Sequence, residues 1–274
     1  MKSRTSNKTN WMVGIVLGIF VTSLLIATAP RIGVTWDEPA YIAAAESYIA
    51  WFDRLAHNPG DALRDQTLTR YWRLNHEHPP LNKIWSGLFW RLTHTLFDEL
   101  TAHRVGNMIL VGILVMLLYV LVADQVSPIA GGAAVAALIT MPRFFFHAHL
   151  AALDVPAAVT VFGTIFVFWR TKDDPALKAD VALGLVWGVA MATKINALFV
   201  PPILLSWVLI FGRRRCLFRR LVAMGALGLV IFLAIWPWLY YQFWPRLIEY
   251  VLFVTVDHWQ IPQFYLGQSY LPPT

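Results

Sequence analysis

The 274-residue chain is 58% hydrophobic and only 14% charged, with a net charge of +6. Soluble domains average roughly 25% charged residues, so the composition excludes an ordinary soluble fold and indicates a protein whose solvent is lipid. The one cysteine, Cys216, excludes an internal disulfide scaffold. The densest basic run, residues 213–220, lies between two apolar stretches, which indicates anchoring at a membrane surface rather than nucleic-acid binding.

The first apolar stretch, residues 11–30, is long enough to cross a bilayer, which takes about 20 helical residues. It follows a basic tail, and the positive-inside rule predicts that this tail is cytoplasmic. Ala27-Thr28-Ala29 resembles a signal-peptidase site. The length of the stretch and the number of later spans favour a retained membrane anchor.

Residues 31–104 form a predicted outer loop. Within it, Ala40–Leu55 and Leu81–Phe97 repeat apolar side chains at helical spacing. Both stretches are predicted to be amphipathic helices that lie in the membrane interface rather than cross it.

Six further spans are predicted after the loop, and the last pair depends on Lys194. One helix over residues 181–211 would place the basic run outside, against the positive-inside rule, so we predict that the chain turns back at a recessed Lys194. The predicted spans are residues 105–123, 129–146, 155–169, 181–193, 197–211 and 221–241.

The predicted fold class is therefore all-α, a polytopic transmembrane helix bundle that forms one domain over residues 1–274. The chain ends at Leu271-Pro272-Pro273-Thr274 without a charged tail. From this ending we expect that a C-terminal portion is missing.

This topology gathers reactive side chains on the outer side. Ionisable groups at the hydrocarbon boundary are costly and usually functional, so their convergence predicts an active site on that face. The set is Asp37, Glu38, His76, Glu77, His78, Arg104, His147, His149, Asp154, Lys194, His258 and Gln260.

Asp37 and Glu38 directly follow the first span and precede Pro39. Acidic residues before a helical proline can simply start a helix. Paired carboxylates at the membrane surface can also deprotonate a hydroxyl nucleophile.

His76-Glu77-His78 leads into Pro79-Pro80 and the second amphipathic stretch. The amides at the start of that helix can bind a phosphate, and His78 would add positive charge. The three side chains could instead help to bind a divalent metal, or form a solvated loop bent by the prolines.

A short outer turn joins Arg143, His147, His149 and Asp154. An Arg143–Asp154 ion pair would hold this corner rigid, and the histidines can serve either the scaffold or the site. Lys194, recessed in its turn, is predicted to bind a phosphate or carboxylate. The sequence contains no Gly-rich phosphate loop, Ser-His-Asp signature, His-Glu-x-x-His or heme motif.

Four motifs together resemble the phospholipid-carrier-dependent glycosyltransferases of the GT-C fold. This group includes protein O-mannosyltransferases and lipid A aminoarabinose transferases, and the resemblance covers the N-terminal half of a typical member. The motifs are Trp36-Asp37-Glu38-Pro39-Ala40-Tyr41, Glu77-His78-Pro79-Pro80-Leu81, Leu153-Asp154-Val155-Pro156 and Thr193-Lys194.

The resemblance implies roles for single residues. Asp37, with Glu38 beside it, matches the acidic residue that acts as base or binds the acceptor, and Asp154 matches the acid of the second outer turn. A divalent metal would implicate Glu77 and His258; no other cofactor is implied. His78 stands where the aminoarabinose group has lysine, so a permanent positive charge is absent there.

The implied reaction is direct displacement from a polyprenyl-phosphate sugar, with inversion at the anomeric carbon. Asp37 deprotonates the acceptor, a protein, lipid or glycan, while Lys194, His78 and Arg143 stabilise the departing phosphate. His149 and Asp154 complete the predicted substrate-binding set. We expect a bacterial inner membrane location with a cytoplasmic N-terminus.

Two alternatives remain open at this point. Short broken helices and a lysine at membrane depth also suit a transporter, although the sequence has no inverted repeat. The chain could also be a non-catalytic fragment of such a transferase.

Overall fold

The computed structural model describes residues 7–211, 215–256 and 262–271, and nearly all of them are helical. A two-stranded antiparallel hairpin, β1 (Gln263–Tyr265) and β2 (Gln268–Tyr270), lies near the end of the described chain. The helices are α1 (Lys8–Thr28), α2 (Glu38–His57), α3 (Pro59–Ala62), α4 (Asp65–Trp72), α5 (Leu81–Thr93), α6 (Glu99–Gln125), α7 (Pro128–Thr140), α8 (Pro142–His147), α9 (Asp154–Thr171), α10 (Leu177–Thr193), α11 (Val200–Phe211), α12 (Arg215–Ile235) and α13 (Phe243–Thr255).

Three of the described helices are long and apolar enough to cross a membrane: Lys8–Arg31, Glu99–Gln125 and Leu217–Ile235. Two shorter apolar helices cover Pro128–Thr140 and Ile195–Phe211. The predicted fold class, an all-α polytopic membrane bundle, is confirmed. The membrane boundaries of the individual spans stay a prediction.

Helices α1 and α6 pack antiparallel through small residues. Gly18 and Gly112 face each other so closely that a Cβ on Gly18 would lie 2.6 Å from the Gly112 carbonyl oxygen. Glycine allows this approach of two backbones, and close packing of this kind is a main source of helix association in lipid.

The chain reverses direction at Lys194. The Lys194 amine contacts Asp154 at the start of α9, whereas Trp207 of α11 packs edge-on against Phe168 and Trp169 at the end of α9. Helix α11 therefore runs opposite to α10. A short 3₁₀ segment, Ile195–Phe199, makes the turn.

One predicted span, residues 129–146, is divided in the structure. Helix α7 ends at Thr140, Met141 is extended with φ −68° and ψ 112°, and α8 begins at Pro142. Proline has no amide hydrogen to donate and disfavours a helical conformation in the residue before it. The apolar run therefore continues across a break in the helix.

The apolar face of α2 is covered by protein. Tyr48 stacks on Trp72 of α4 with ring centroids 4.3 Å apart, and Trp51 packs edge-on against the same indole. The apolar face of α2 therefore packs inside the protein. By contrast, α5 buries Lys83 and other polar residues and leaves Leu92 exposed, and its location in the membrane interface stays a prediction.

The bundle has two chemically different ends. At the Asp180 end, where α10 and α12 begin, buried Asp180 pairs with Arg219 and Arg220 at 2.7 and 2.9 Å, and Asp124 pairs with Arg170 at 2.7 Å. At the Asp154 end, α6 and α9 begin and α1 and α10 finish. Most predicted site residues lie at the Asp154 end.

Candidate active site

Asp154 and Lys194 form an ion pair at the Asp154 end. Asp154 opens α9 and Lys194 follows α10 in extended conformation, and their Oδ1 and Nζ atoms lie 2.6 Å apart. The side chains are 61% and 26% exposed, so a ligand can reach both. The predicted Arg143–Asp154 ion pair is wrong. The turn at Lys194 places the Lys194 amine against Asp154, and this amine forms the ion pair instead. Arg143 is exposed on α8, and none of the described carboxylates pairs with it.

Tyr41 lies among three carboxylates. Burial raises the pKa of its phenol, and the negative charges of Asp37, Asp154 and Glu77 raise it further. Charges act in this way only when they lie near the group they affect. The His78 ring is 6.0 Å from the Tyr41 ring, and Asp37 is exposed just before α2. Tyr41 was part of the resemblance motif, but sequence reasoning assigned it no role.

The loop that carries Glu77 and His78 is held from inside by Lys83. The buried Lys83 amine donates to the backbone and side-chain oxygens of Asn75 and, at 2.8 Å, to the His78 carbonyl. Asn75 adopts a left-handed φ of 50°, a conformation that asparagine tolerates. Burial lowers the pKa of Lys83 to about 7, and the negative charge of Glu77 opposes this shift. The position of Lys83 in an amphipathic stretch did not reveal this role.

Glu38 is fully buried and its carboxylate is saturated. Arg104 donates to both oxygens at 2.7 Å, the Ala151 amide donates at 2.8 Å, and the Thr35 amide at 2.9 Å. Burial alone would raise the pKa of Glu38, but Arg104 and these amides hold it below its ordinary value. Glu38 therefore connects α2, α6 and the turn before α9.

His149 is also buried, with both ring nitrogens engaged. Its Nε2 lies 2.8 Å from the Thr28 hydroxyl and its Nδ1 lies 2.7 Å from the Phe145 carbonyl. Burial lowers the pKa of this imidazole. The structure places His149 in the scaffold behind the Arg104–Glu38 pair, away from the exposed acids and bases.

The predicted metal ligands are described only in part. Glu77 accepts from the Asn75 amide at 3.0 Å and lies 3.8 Å from His76, while His258 is outside the described residues. Within the described ranges, Glu77 does not belong to a group of three potential metal ligands around one point. A metal at Glu77 stays a prediction.

The arrangement combines an accessible carboxylate, an amine and an imidazole at one end of an apolar bundle. An exposed carboxylate can accept a proton. The amine and the imidazole, when protonated, can bind a phosphate. Together the fold and the site define a membrane protein that can carry out acid–base chemistry at one membrane surface.

Comparison of the chain with known protein families identifies which kind of membrane protein it is. The family described as dolichyl-phosphate-mannose-protein mannosyltransferase matches residues 77–241, more than half of the chain, and the chain belongs to that family. The protein is thus a membrane glycosyltransferase that uses a lipid-linked sugar donor. The matched region contains Glu77, His78, Asp154 and Lys194; Asp37 precedes it. No curated protein and no solved structure matches the chain.

Proposed function

We propose that the protein moves a mannose-like hexose from a polyprenyl-phosphate carrier to an acceptor hydroxyl on the non-cytoplasmic face. The observation that carries this proposal is the gathering of Asp37, Tyr41, Asp154 and Lys194 at one end of the bundle. The family description names a protein acceptor, which supports a protein hydroxyl over a lipid or glycan.

The donor phosphate binds at Lys194 and His78. The Lys194 ammonium has three N–H donors and gives one to Asp154 in the free protein, so a phosphate oxygen can take another. His78 lies beside Tyr41, with ring centroids 6.0 Å apart, in the loop held by Lys83. Charge-assisted hydrogen bonds to phosphate are among the stronger polar interactions of proteins.

The transfer is a single displacement. The acceptor oxygen attacks the anomeric carbon, its proton passes to Asp37, and the bond from that carbon to the phosphate oxygen breaks. The phosphate keeps the electron pair of this bond, and Lys194 and His78 stabilise its added negative charge. Attack from the side opposite the leaving group inverts the anomeric configuration.

Asp37 alone serves as the base in this proposal. Sequence reasoning paired it with Glu38, but the Glu38 carboxylate is inaccessible and saturated by Arg104 and backbone amides. We therefore assign Glu38 a positioning role, since it holds the start of α2 against α6. In the proposed reaction, Arg143 is an exposed cation that can bind the lipid phosphate.

The charge distribution supports an outward-facing site. Arg170, Arg219 and Arg220 all lie at the Asp180 end, and cytoplasmic loops are enriched in such residues. The Asp154 end then faces away from the cytoplasm, where a lipid-linked donor arrives already activated and no nucleotide is needed. A bacterial inner membrane is the proposed location.

Transfer from radiolabelled polyprenyl-phosphate mannose in membranes tests the proposal. Asp37→Asn should lower the rate by roughly 10²–10⁴-fold, the usual contribution of a general base, and Lys194→Ala by roughly 10²-fold or more. Asp53→Asn is the matched control, since Asp53 lies on α2, the helix that Asp37 precedes, in an exposed pair with Arg91.

Full activity in both site variants would remove the site assignment. A transporter would instead move the labelled lipid without cleaving it, so recovery of intact donor with no labelled acceptor would overturn the transferase proposal.

A further inference from the structure

A second group of reactive side chains lies outside the candidate active site, on α2 and α6. Glu46, Glu99 and His103 each direct one potential ligand atom to a common point, and these atoms lie within 4.8 Å of one another. Glu99 and His103 share a helix face because they are one turn apart. No step of the proposed transfer uses any of the three residues.

The His103 imidazole is held in one tautomer. The Ser86 hydroxyl donates its hydrogen to the His103 carbonyl at 2.9 Å, so its oxygen is left to accept a hydrogen from Nδ1 at 3.2 Å. With the hydrogen on Nδ1, the other ring nitrogen, Nε2, carries a lone pair. A histidine that ligates a metal through Nε2 is oriented by such a bond from Nδ1.

The Nε2 atom is buried without a hydrogen-bond partner among the described residues. The His103 side chain is 0% exposed, and Nε2 points at the Glu46 carboxylate, 3.5 Å away. A lone pair facing a carboxylate is repulsive, and a buried polar atom without a hydrogen-bond partner is destabilising. A cation between the two groups would remove both penalties.

Trp90 contacts both His103 and Glu99. Trp90 stacks on the His103 ring with centroids 5.4 Å apart and planes 9° apart, and its indole N–H donates to Glu99 at 2.7 Å. The potential ligand atoms of Glu46 and Glu99 lie within 4.8 Å of each other, and two negative charges at this distance repel unless a cation lies between them. The half-exposed Glu46 side chain leaves an entry path from solvent.

We propose that Glu46, Glu99 and His103 bind a divalent transition metal of the Zn²⁺ type, with water in the remaining position. One imidazole and two carboxylates are a ligand set that suits Zn²⁺. Zinc bonds of about 2.0–2.2 Å place ligand atoms roughly 3.3 Å apart, so atoms that now lie within 4.8 Å of one another would draw together around the metal. The metal would link α2, which follows Asp37, to α6 beside Arg104, and it is distinct from a metal at Glu77.

Zinc binding by the full chain tests this inference. The protein is purified in detergent, stripped with EDTA and equilibrated with ZnCl₂, and bound zinc and the thermal unfolding midpoint are measured. The wild type should bind one more zinc than His103→Ala and should unfold at a higher temperature with zinc. Glu46→Gln should weaken binding at least ~10-fold, and Ser86→Ala roughly 10–100-fold.

Two control variants separate the possible outcomes. His94→Ala removes an exposed histidine that also packs on Trp90, and it should bind zinc as the wild type does. Glu77→Gln should retain this zinc as well. Glu46 is half-exposed, so its variant tests the site even if His103→Ala does not fold.

Three results would overturn the inference. They are no zinc bound by the wild type, unchanged binding in folded Glu46→Gln and His103→Ala, or loss of the zinc in Glu77→Gln alone.

Discussion

Asp37 and Glu38 carry the same functional group at adjacent positions, yet one is exposed and the other has no accessible surface. The difference arises because helix α2 begins between them, which turns Glu38 inward to Arg104. A buried carboxylate with a bidentate arginine is a structural element. The exposed neighbour keeps the freedom to accept a proton.

Glu38→Gln should destabilise the fold by about 3–5 kcal/mol, because it leaves the Arg104 charge buried without its counter-ion. Thermal unfolding in detergent measures this loss. Asp53→Asn is the control, since Asp53 forms an exposed pair with Arg91 and such pairs contribute about 0–1 kcal/mol. Equal effects of the two substitutions would contradict the structural role.

The Glu38 contribution should also depend on pH. The pKa of Glu38 is lowered from 4.5 in the folded protein, so the folded state favours the ionised form. The stabilisation is present above pH 4.5 and is lost as pH falls through the lower folded value. The stability difference between wild type and Glu38→Gln should therefore shrink only in acid.

At the scale of elements, α10 and α12 run parallel and touch through glycines. Added Cβ atoms on Gly184 and Gly188 would meet Leu227 and Ile231 at 2.9 and 2.7 Å. Gly188 lies four residues after Gly184, and its contact Ile231 lies four residues after Leu227. The two helices therefore run in the same direction. Helix α10 ends next to Lys194, so this packing also positions the amine.

Gly188→Ala should destabilise the protein by about 1–3 kcal/mol, because the new methyl group overpacks the contact with α12. Gly225→Ala is the matched control: nothing lies within 4 Å of a Cβ there, and it should be neutral or stabilising. Unfolding midpoints in detergent compare the two. A harmless Gly188→Ala would show that the helices are further apart than described.

At the scale of the whole molecule, the two ends of the bundle should face opposite sides of the membrane. In a Cys216→Ala background, single cysteines at positions 78 and 194 should react with an impermeant maleimide from outside. A cysteine at position 173, on the connection between α9 and α10 near the Asp180 end, should react only after permeabilisation. Reaction of positions 78 and 194 from opposite sides would mean that the proposed site does not exist.

The amino-acid sequence by itself determined the fold class, the helical character of the long apolar runs and the break at Lys194. These properties are local: hydropathy over about 20 residues decides solubility in lipid, and a charge inside an apolar run is costly wherever it lies. The ordered motifs around Asp37, Glu77, Asp154 and Lys194 also indicated the family that the comparison then identified.

Only the tertiary structure decided which groups meet. Glu38 pairs with Arg104 across 66 positions, and Asp154 pairs with Lys194 across 40, so helix packing and rotation select these partners. Periodicity likewise revealed an apolar face on α2 but not that Trp72 covers it, nor that His103 faces Glu46. Side-chain partners follow from long-range packing free energy, which no short stretch of sequence contains.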